Sequence, residues 1–338
     1  MTEDVELGQA EAEELALRAC RGAGADEAST RALVDATLSA ARFGPAILGF
    51  PHMVDYLKSF REGRINCAPA PTLTRPFPAM FVCDADGGVA QLGFDLAFGV
   101  IVGAARSFGI AMFTQTNSYT AGELGYYVRR LAAEGLVGLA ATNANAMVVS
   151  KPGGPAVYST NPMAFGFPLG ENSLPMVIDQ ASSATAFVNI VAAAAEGRPI
   201  PKGWAVDENG IDTEDAERAL GGALLPFGGR KGANVALLVE MLSAGLSGGP
   251  WSLDTPDFRS GSVRPAVGLT VIAMMPGAPE AGRIERASEQ ARRLAALDVF
   301  IPGVSENEFP PSSAKRLKVP AGIHEAVCAF AAAASNPT

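Results

Sequence analysis

Two adjacent cations framed by glycines are the most chemically suggestive feature of the sequence. The segment 228–232 reads Gly-Gly-Arg-Lys-Gly and precedes a strongly helical apolar stretch over 233–248. Backbone N–H groups at the start of a helix attract anions, and the Arg230 guanidinium adds a planar fork suited to phosphate or carboxylate. The pattern around Arg230 and Lys231 therefore favours an anion site, with a solvated pair of loop cations as the alternative.

Common phosphate and metal motifs are missing from the sequence. No G-x-G-x-x-G follows a strand, and the segment 228–232 is not a P-loop because no Ser or Thr follows its lysine. With only two histidines and no CxxC spacing, the chain is not expected to bind a metal ion. The expected state of the cysteines is four reduced thiols, at Cys20, Cys67, Cys83 and Cys328.

Hydrophobic periodicity predicts alternating helices and strands, and hence an α/β fold class. The predicted helices cover 9–22, 26–42, 52–62, 93–108, 121–134, 183–196, 214–222, 233–248, 279–296 and 321–334. The predicted strands cover 79–84, 109–114, 136–142, 175–178, 267–275 and 299–303, with an extended segment over 68–78 and a loop over 202–210. No sharp domain boundary is visible, so we expect a discontinuous domain packed on a central one.

Composition and charge exclude several classes of function. Hydrophobic residues make up 48% of the 338 residues and the net charge is −9, which indicates a sizeable core and argues against nucleic-acid partners. The basic pairs Arg129-Arg130 and Arg292-Arg293 are short, and we expect each on a solvated helix face. An acidic N-terminus without an apolar region and the lack of a long apolar run predict a cytoplasmic protein with no membrane partner.

Nine stretches of sequence follow one another in an order typical of a single family. They are 56–66, 84–91, 117–127, 141–146, 159–165, 177–183, 199–207, 224–232 and 300–305. Together they resemble the type 2 malate/L-lactate dehydrogenase family, which also includes ureidoglycolate, sulfolactate and piperideine/pyrroline-2-carboxylate reductases. The resemblance implies an unusual malate dehydrogenase-like α/β fold that binds NAD(P) without a Rossmann motif, usually as a homodimer.

The resemblance also suggests how the chain is divided. An N-terminal helical and substrate-side segment would span 1–115, an NAD(P)-binding central domain 116–265, and a C-terminal segment returning to the N-terminal lobe 266–338. The implied cofactor contacts are Thr120, Gly122, Glu123, Leu124, Ile178, Asp179, Gln180, Arg230, Lys231, Pro302 and Gly303.

Three of these implied contacts have their own chemistry. Gly122 would let the backbone approach a phosphate closely. The Asp179 carboxylate, after an apolar strand, could hold a ribose hydroxyl or a nicotinamide amide, and the alternative is that it caps the helix that follows. Thr120 stands where the family usually has His.

The positions that would carry the chemistry depart from the family. The family's Ser-His pair, whose His protonates a keto oxygen or imine nitrogen, falls on Ile47-Leu48, and its carboxylate-binding Arg falls on His52. A further polar residue of the family falls near Val188. Two apolar side chains cannot shuttle a proton. We therefore expect substrate contacts from Leu48, His52 and Thr160, of which Thr160 matches the family.

His52 is the first candidate for the missing proton donor. It could replace the family's Arg as a carboxylate partner or its His as an acid, and the alternative is a surface histidine at a helix start. Tyr119 and Lys151 lie in family site segments and are further candidate donors, with a structural role as the alternative for each.

The predicted function is an NAD(P)H-dependent reductase of a small carboxylated substrate with an altered proton donor. A cyclic imine or iminium is favoured over a 2-keto acid because an iminium already carries its proton. Two alternatives stay open, a non-redox cyclase or isomerase that reuses the pocket and a catalytically silent relative. The sequence leaves the substrate and the choice between NAD and NADP open.

Overall fold

The structure is a computed structural model that describes residues 4–170, 173–277, 282–304 and 316–334. The helices are α1 Gln9–Gly22, α2 Glu27–Phe43, α3 Phe50–Arg61, α4 Ala90–Phe108, α5 Gly125–Ala133, α6 Phe187–Ala195, α7 Ala216–Leu220, α8 Arg230–Glu240, α9 Arg283–Ala295 and α10 Ala321–Ala333. The strands are β1 Val5–Leu7, β2 Thr72–Phe77, β3 Met80–Asp84, β4 Ile110–Ser118, β5 Val137–Thr142, β6 Val148–Val149, β7 Ala156–Tyr158, β8 Met163–Phe167, β9 Met176–Gln180, β10 Ala205–Val206, β11 Asp212–Thr213, β12 Ala223–Leu224, β13 Val267–Met274 and β14 Leu317–Val319.

A seven-stranded sheet with the order β2-β3-β4-β13-β5-β8-β9 organises the molecule. Only the β3–β4 pair in this sheet is parallel, and the other neighbours are antiparallel. The predicted α/β class is confirmed, with a mixed sheet rather than the parallel sheet of doubly wound folds. β13 lies between β4 and β5, so a late segment of the chain completes the middle of the sheet.

Helices α4 and α5 cover one face of this sheet and approach it closely. A Cβ added to Gly93 of α4 would lie 1.9 Å from the Gln115 side-chain oxygen, so only glycine fits at this crossing. Aromatic side chains fill the space between helix and sheet, with the rings of Phe94 and Phe113 5.9 Å apart. Burial of these large side chains provides most of the driving force for this packing.

A smaller sheet with the order β11-β10-β12-β6-β7 forms a second layer with α6 and α7. Its core is built from small and branched residues, among them Val148, Ile190, Ala205 and Leu224. A third cluster joins α1, α2 and α3 to α10, while β1 pairs with β14 so that Leu7 lies opposite Leu317. The last described strand and helix, β14 and α10, therefore pack against the first elements of the chain.

Most predicted helices and strands are present, but α5 and α6 begin later than predicted. The backbone of Gly122 has φ +68°, which keeps the residues before Gly125 out of the helix. Residues 183–185 hydrogen-bond across to another segment instead, since the Ala184 N–H donates to the Leu225 carbonyl at 2.7 Å. Residues 279–281 of the predicted helix 279–296 lie outside the described residues.

The strand predicted over 299–303 is wrong, and so is the uninterrupted loop over 202–210. Gly303 has φ +80° and the Val304 N–H donates to the Ile301 carbonyl, so this segment is a turn. The loop contains the short strand β10, which has too few residues for a periodic signal.

The pair Arg129-Arg130 does not lie on a solvated helix face, contrary to the prediction. Arg129 pairs with Glu123, and Arg130 pairs with Asp95 and stacks on Phe98 at 4.3 Å. Arg292, by contrast, is exposed as predicted. None of the described helices combines the length and apolar character that crossing a lipid bilayer requires.

Candidate functional site

A cavity of about 640 Å³ lies between the segment after α2, the start of α5 and the end of β9. Its volume is within the range of small-molecule and cofactor sites. Six residues that the resemblance assigned to the cofactor line it together: Glu123, Ile178, Asp179, Gln180, Pro302 and Gly303. Sequence reasoning missed the other lining residues, namely Arg42, Phe43, Gly44, Pro45, Arg129, Val177 and Phe300. The dipeptide Gly44-Pro45, a turn signal beside a cation, is the sequence feature that could have pointed to this wall.

Asp179 caps a helix, but a different one from the helix predicted. Its Oδ2 accepts the Gly125 N–H at 2.7 Å, so the carboxyl of β9 caps the start of α5. Helix α6, which follows in sequence, begins eight residues later and has Ala186 as its N-cap. Burial raises the pKa of Asp179 to about 7, helped by the nearby Glu123 carboxylate. This carboxyl therefore changes its protonation near neutral pH.

Glu123 lines the same cavity, and one of its two carboxylate oxygens accepts no hydrogen bond from the described residues. The side chain is nearly fully buried and pairs through Oε2 with Arg129, while its Oε1 has no hydrogen-bond partner among the described residues. A Cβ on Gly44 would lie only 2.4 Å from that Oε1, so glycine keeps the space beside it free. A cavity with an unpaired buried acceptor beside Asp179 fits the ribose hydroxyls and amide of a nicotinamide dinucleotide.

The cations of the segment 228–232 lie elsewhere. Arg230 and Lys231 are exposed at the first turn of α8, after Gly228 and Gly229 with φ +56° and +62°. The sequence correctly placed the pair at a helix start. Neither residue lines the cavity, and neither forms an ion pair with another described side chain.

A second polar cluster surrounds His52, near the start of α3. The Thr120 hydroxyl donates to the Tyr56 Oη at 2.7 Å, and that phenol donates back to the Thr120 carbonyl at 3.0 Å. The Nε2 of His52 lies 3.5 Å from the Thr120 Oγ1, and its Nδ1 lies 3.4 Å from an Asp55 carboxylate oxygen. Since the imidazole is 14% exposed, it is held between two oxygen partners at the edge of the core.

The phenols of this cluster are not free to ionise near neutrality. Burial raises the pKa of Tyr56 to about 12 and raises the pKa of Tyr119 as well. The Tyr119 Oη accepts from Ser59 and donates to the Phe258 carbonyl, both at 2.8 Å. This placement supports a structural role for Tyr119, with its proton committed inside the core.

The remaining predicted site residues occupy separate positions. Leu48 is half-buried in a short 3-10 helix, Ala46–Leu48, directly after the cavity-lining segment. Thr160 is half-buried and its carbonyl accepts the Ser182 N–H at 2.7 Å. Lys151 is exposed in the turn between β6 and β7. Gly122 and Leu124 flank Glu123 at the start of α5, and residue 305 of the matching stretch 300–305 lies outside the described residues.

The loop before β13 forms a wall that sequence reasoning missed. The ring of Phe258 stands edge-on to the His52 ring at 5.9 Å and to the Tyr119 ring at 6.3 Å. Its carbonyl also accepts from the buried guanidinium of Arg64. No local pattern marks Phe258, because its partners come from α3 and from the segment after β4.

Comparison with known proteins identifies relatives over nearly the whole chain. The family model for malate/L-lactate dehydrogenase matches residues 8–316. A Δ1-pyrroline-2-carboxylate/Δ1-piperideine-2-carboxylate reductase of Pseudomonas aeruginosa is 32% identical over 326 residues, covering 95% of this chain and 97% of that protein. A (2R)-3-sulfolactate dehydrogenase (NADP+) of Chromohalobacter salexigens is 31% identical over 327 residues, 95% and 96% of the two chains. The crystal structure of the Δ1-piperideine-2-carboxylate reductase of Pseudomonas syringae pv. tomato superimposes with a TM-score of 0.87 at 29% identity, covering 96% of this chain and 99% of that one.

Proposed function

We propose that this chain, which belongs to the malate/L-lactate dehydrogenase family, reduces a small cyclic imine that carries a carboxylate. Family membership makes it an NAD(P)-dependent oxidoreductase with a malate dehydrogenase-like α/β fold. The imine substrate is our inference. Its support comes from the residues around His52 and from the names of the similar reductases. The homodimer that the resemblance implies stays a prediction.

The contact between His52 and Thr120 carries this proposal. The resemblance puts a carboxylate-binding Arg at position 52 and a His at position 120, so both residues depart from the family. Their side chains approach to 3.5 Å, which makes them one altered cluster rather than two separate changes. At the positions of the family's Ser-His pair stand Ile47 and Leu48, whose side chains have no proton that they could transfer.

This arrangement suits an imine better than a ketone. Reduction of a ketone places negative charge on oxygen and requires a proton donor there, which contributes about 10²- to 10⁴-fold to the rate. A cyclic iminium nitrogen is already protonated, so positioning is its main requirement. His52 can contribute to that positioning through the shape of its ring, because Asp55 and Thr120 hold the ring in one orientation beside Phe258.

The cavity beside Asp179 is the proposed cofactor site. When bound, a reduced nicotinamide supplies the hydride. The carboxyls of Glu123 and Asp179 would hold hydroxyl or amide groups of the cofactor, and glycine at position 44 keeps the space beside the Glu123 Oε1 free. Arg42 and Arg129 in the same wall supply positive charge for phosphate groups, so NADH and NADPH are both to be tested.

The decisive measurement is oxidation of NADH and NADPH with Δ1-piperideine-2-carboxylate and Δ1-pyrroline-2-carboxylate against pyruvate and oxaloacetate. We expect kcat/KM at least about 100-fold higher for an imine, the lower end of the rate that a missing general acid costs a ketone. Steady turnover of the keto acids without turnover of the imines would refute the proposal. An absence of nicotinamide binding in a fluorescence titration would instead favour the non-redox cyclase or isomerase.

A matched variant tests whether proton donation is what separates imine reduction from keto acid reduction. The double substitution Ile47→Ser with Leu48→His restores the family's proton donor in the short 3-10 helix. It is expected to raise keto acid reduction by about 10-fold or more while changing imine reduction little. An equal gain for both substrate classes would show that proton donation does not separate them in this enzyme.

A further inference from the structure

We propose that Arg259 binds the substrate carboxylate, replacing the guanidinium that the family carries at position 52. The inference rests on the proposed function, since it assumes a carboxylated substrate beside His52. It adds a specificity residue from a part of the chain that the resemblance does not assign to the site. Arg259 lies in the loop between α8 and β13, outside the nine matching stretches.

The placement of the Arg259 guanidinium is the first argument. Its Cζ lies 5.5 Å from the centre of the Phe258 ring and 5.6 Å from the centre of the Phe187 ring. Phe258 in turn stands 5.9 Å from the His52 ring. Phe187 is the first residue of α6 and directly precedes Val188, where the resemblance puts a further polar site residue. The guanidinium therefore contacts the first residue of α6, and it contacts Phe258, whose ring packs against His52.

The Arg259 side chain is also held in place while its charge stays available. The backbone beside it is anchored, because the Phe258 carbonyl accepts from Tyr119 and from the buried Arg64. The side chain itself is 44% exposed and pairs with Asp257, also exposed, at 3.5 Å. The ion pair runs through the Arg259 Nε and an exposed pair of this length is weak, so the two terminal nitrogens of the guanidinium can receive a substrate carboxylate.

Arg259 suits this task better than His52 does. Both side chains have a carboxylate neighbour, Asp55 for His52 and Asp257 for Arg259, so the difference between them lies in the cation itself. A guanidinium keeps its charge across the physiological pH range and offers two parallel N–H donors that match a carboxylate. The contacts with the Phe187 and Phe258 rings would hold the guanidinium in a fixed orientation for the carboxylate of an unsaturated ring.

Binding of two matched ligands tests the proposal without turnover. Pyrrole-2-carboxylate and pyrrole-2-carboxamide have the same planar shape and differ in charge. For Arg259→Ala we expect binding of the carboxylate about 10- to 100-fold weaker and binding of the carboxamide nearly unchanged, as a lost charge-assisted pair predicts. Arg259→Lys should recover part of the loss, and Arg292→Ala, which removes an exposed arginine from α9, should change neither affinity.

Kinetics with the carboxylated imine give a second readout. Arg259→Ala should raise KM by a similar factor and leave kcat within about 3-fold. The reason is that the lost contact stabilises the bound substrate and the transition state equally. Equal weakening of both pyrrole ligands, or no weakening, would overturn the role of Arg259. Arg259-dependent binding of the carboxylate by an enzyme that reduces no imine would overturn the proposed function while leaving this anion site standing.

Discussion

Replacing Asp179 by asparagine should change how the stability of this enzyme depends on pH. Burial raises the pKa of the Asp179 carboxyl from 3.8 to about 7, and the Glu123 carboxylate adds to the shift. The N–H groups of Leu124 and Gly125 and the charge of Arg129 oppose it. The asparagine side chain keeps an oxygen that can accept the Gly125 N–H, so the variant removes the titration and retains the cap.

The sign of the effect follows from proton binding. Between pH 3.8 and about 7 the folded protein keeps a proton that the unfolded chain has lost. The free energy of unfolding therefore falls as pH rises through this range. The gap between the two pKa values corresponds to about 4 kcal/mol at full effect. Because the side chain is half-buried, solvent screening reduces the expected value to about 2 kcal/mol.

Urea unfolding of the wild type and Asp179→Asn at pH 5, 6, 7 and 8 measures this difference, because contributions of other groups cancel between the two proteins. We expect the variant to gain about 1 kcal/mol relative to the wild type between pH 5 and pH 8, since this window holds about three-fifths of the range from pH 3.8 to about 7. The exposed Asp254→Asn is the control and should show a constant difference. A wild type that gains stability over Asp179→Asn as pH rises would refute the reasoning, since Asp179 would then be held ionised by Arg129.

Two further substitutions probe the walls of the two polar clusters. Gly44→Ala should destabilise the protein by about 1–3 kcal/mol in urea unfolding and weaken nicotinamide binding, because its Cβ would lie 2.4 Å from the Glu123 Oε1. Unchanged values would show that Glu123 can move away. Tyr56→Phe should cost about 1–3 kcal/mol, since it leaves the buried Thr120 hydroxyl without its acceptor, whereas Tyr158→Phe at a half-buried position should cost less than about 1 kcal/mol.

Local patterns predicted most elements but not how they are paired. The apolar run over 267–275 correctly predicts β13, and 109–114 predicts the first part of β4. Nothing in either run indicates that they pair side by side, because 149 residues of chain separate Ser118 from Val267. Strands of two residues, such as β10 and β12, are too short for a period of two to appear.

The residues of the candidate site were likewise predicted only in part. The resemblance named Glu123, Asp179 and Pro302 from separate stretches, and the structure brings these three into one cavity. It gave no reason to include Arg129, because a basic pair on a helix normally faces solvent. What turns Arg129 inward is the buried Glu123 six residues earlier, beyond the reach of a single helical turn.

Asp179 shows why local capping rules fail here. A carboxylate before a run of small residues is typical of a helix N-cap, and the sequence offered α6 as its helix. The structure assigns the carboxyl to Gly125, 54 residues earlier in the chain, because β9 lies beside the start of α5. Such a cap depends on tertiary packing, which no window of sequence contains.

The position of β13 has a consequence for how the polypeptide reaches this fold. Seven of its eight residues pair with β4 and six pair with β5, so both neighbours have an unpaired edge until residue 274 has been synthesised. During translation, about four-fifths of the polypeptide emerges from the ribosome before the central sheet can close. Exposed apolar edges of this kind invite pairing with other chains, and pairing of distant segments is slow. We therefore expect a nascent chain of this protein to be prone to pairing with other chains until about its last fifth is being made.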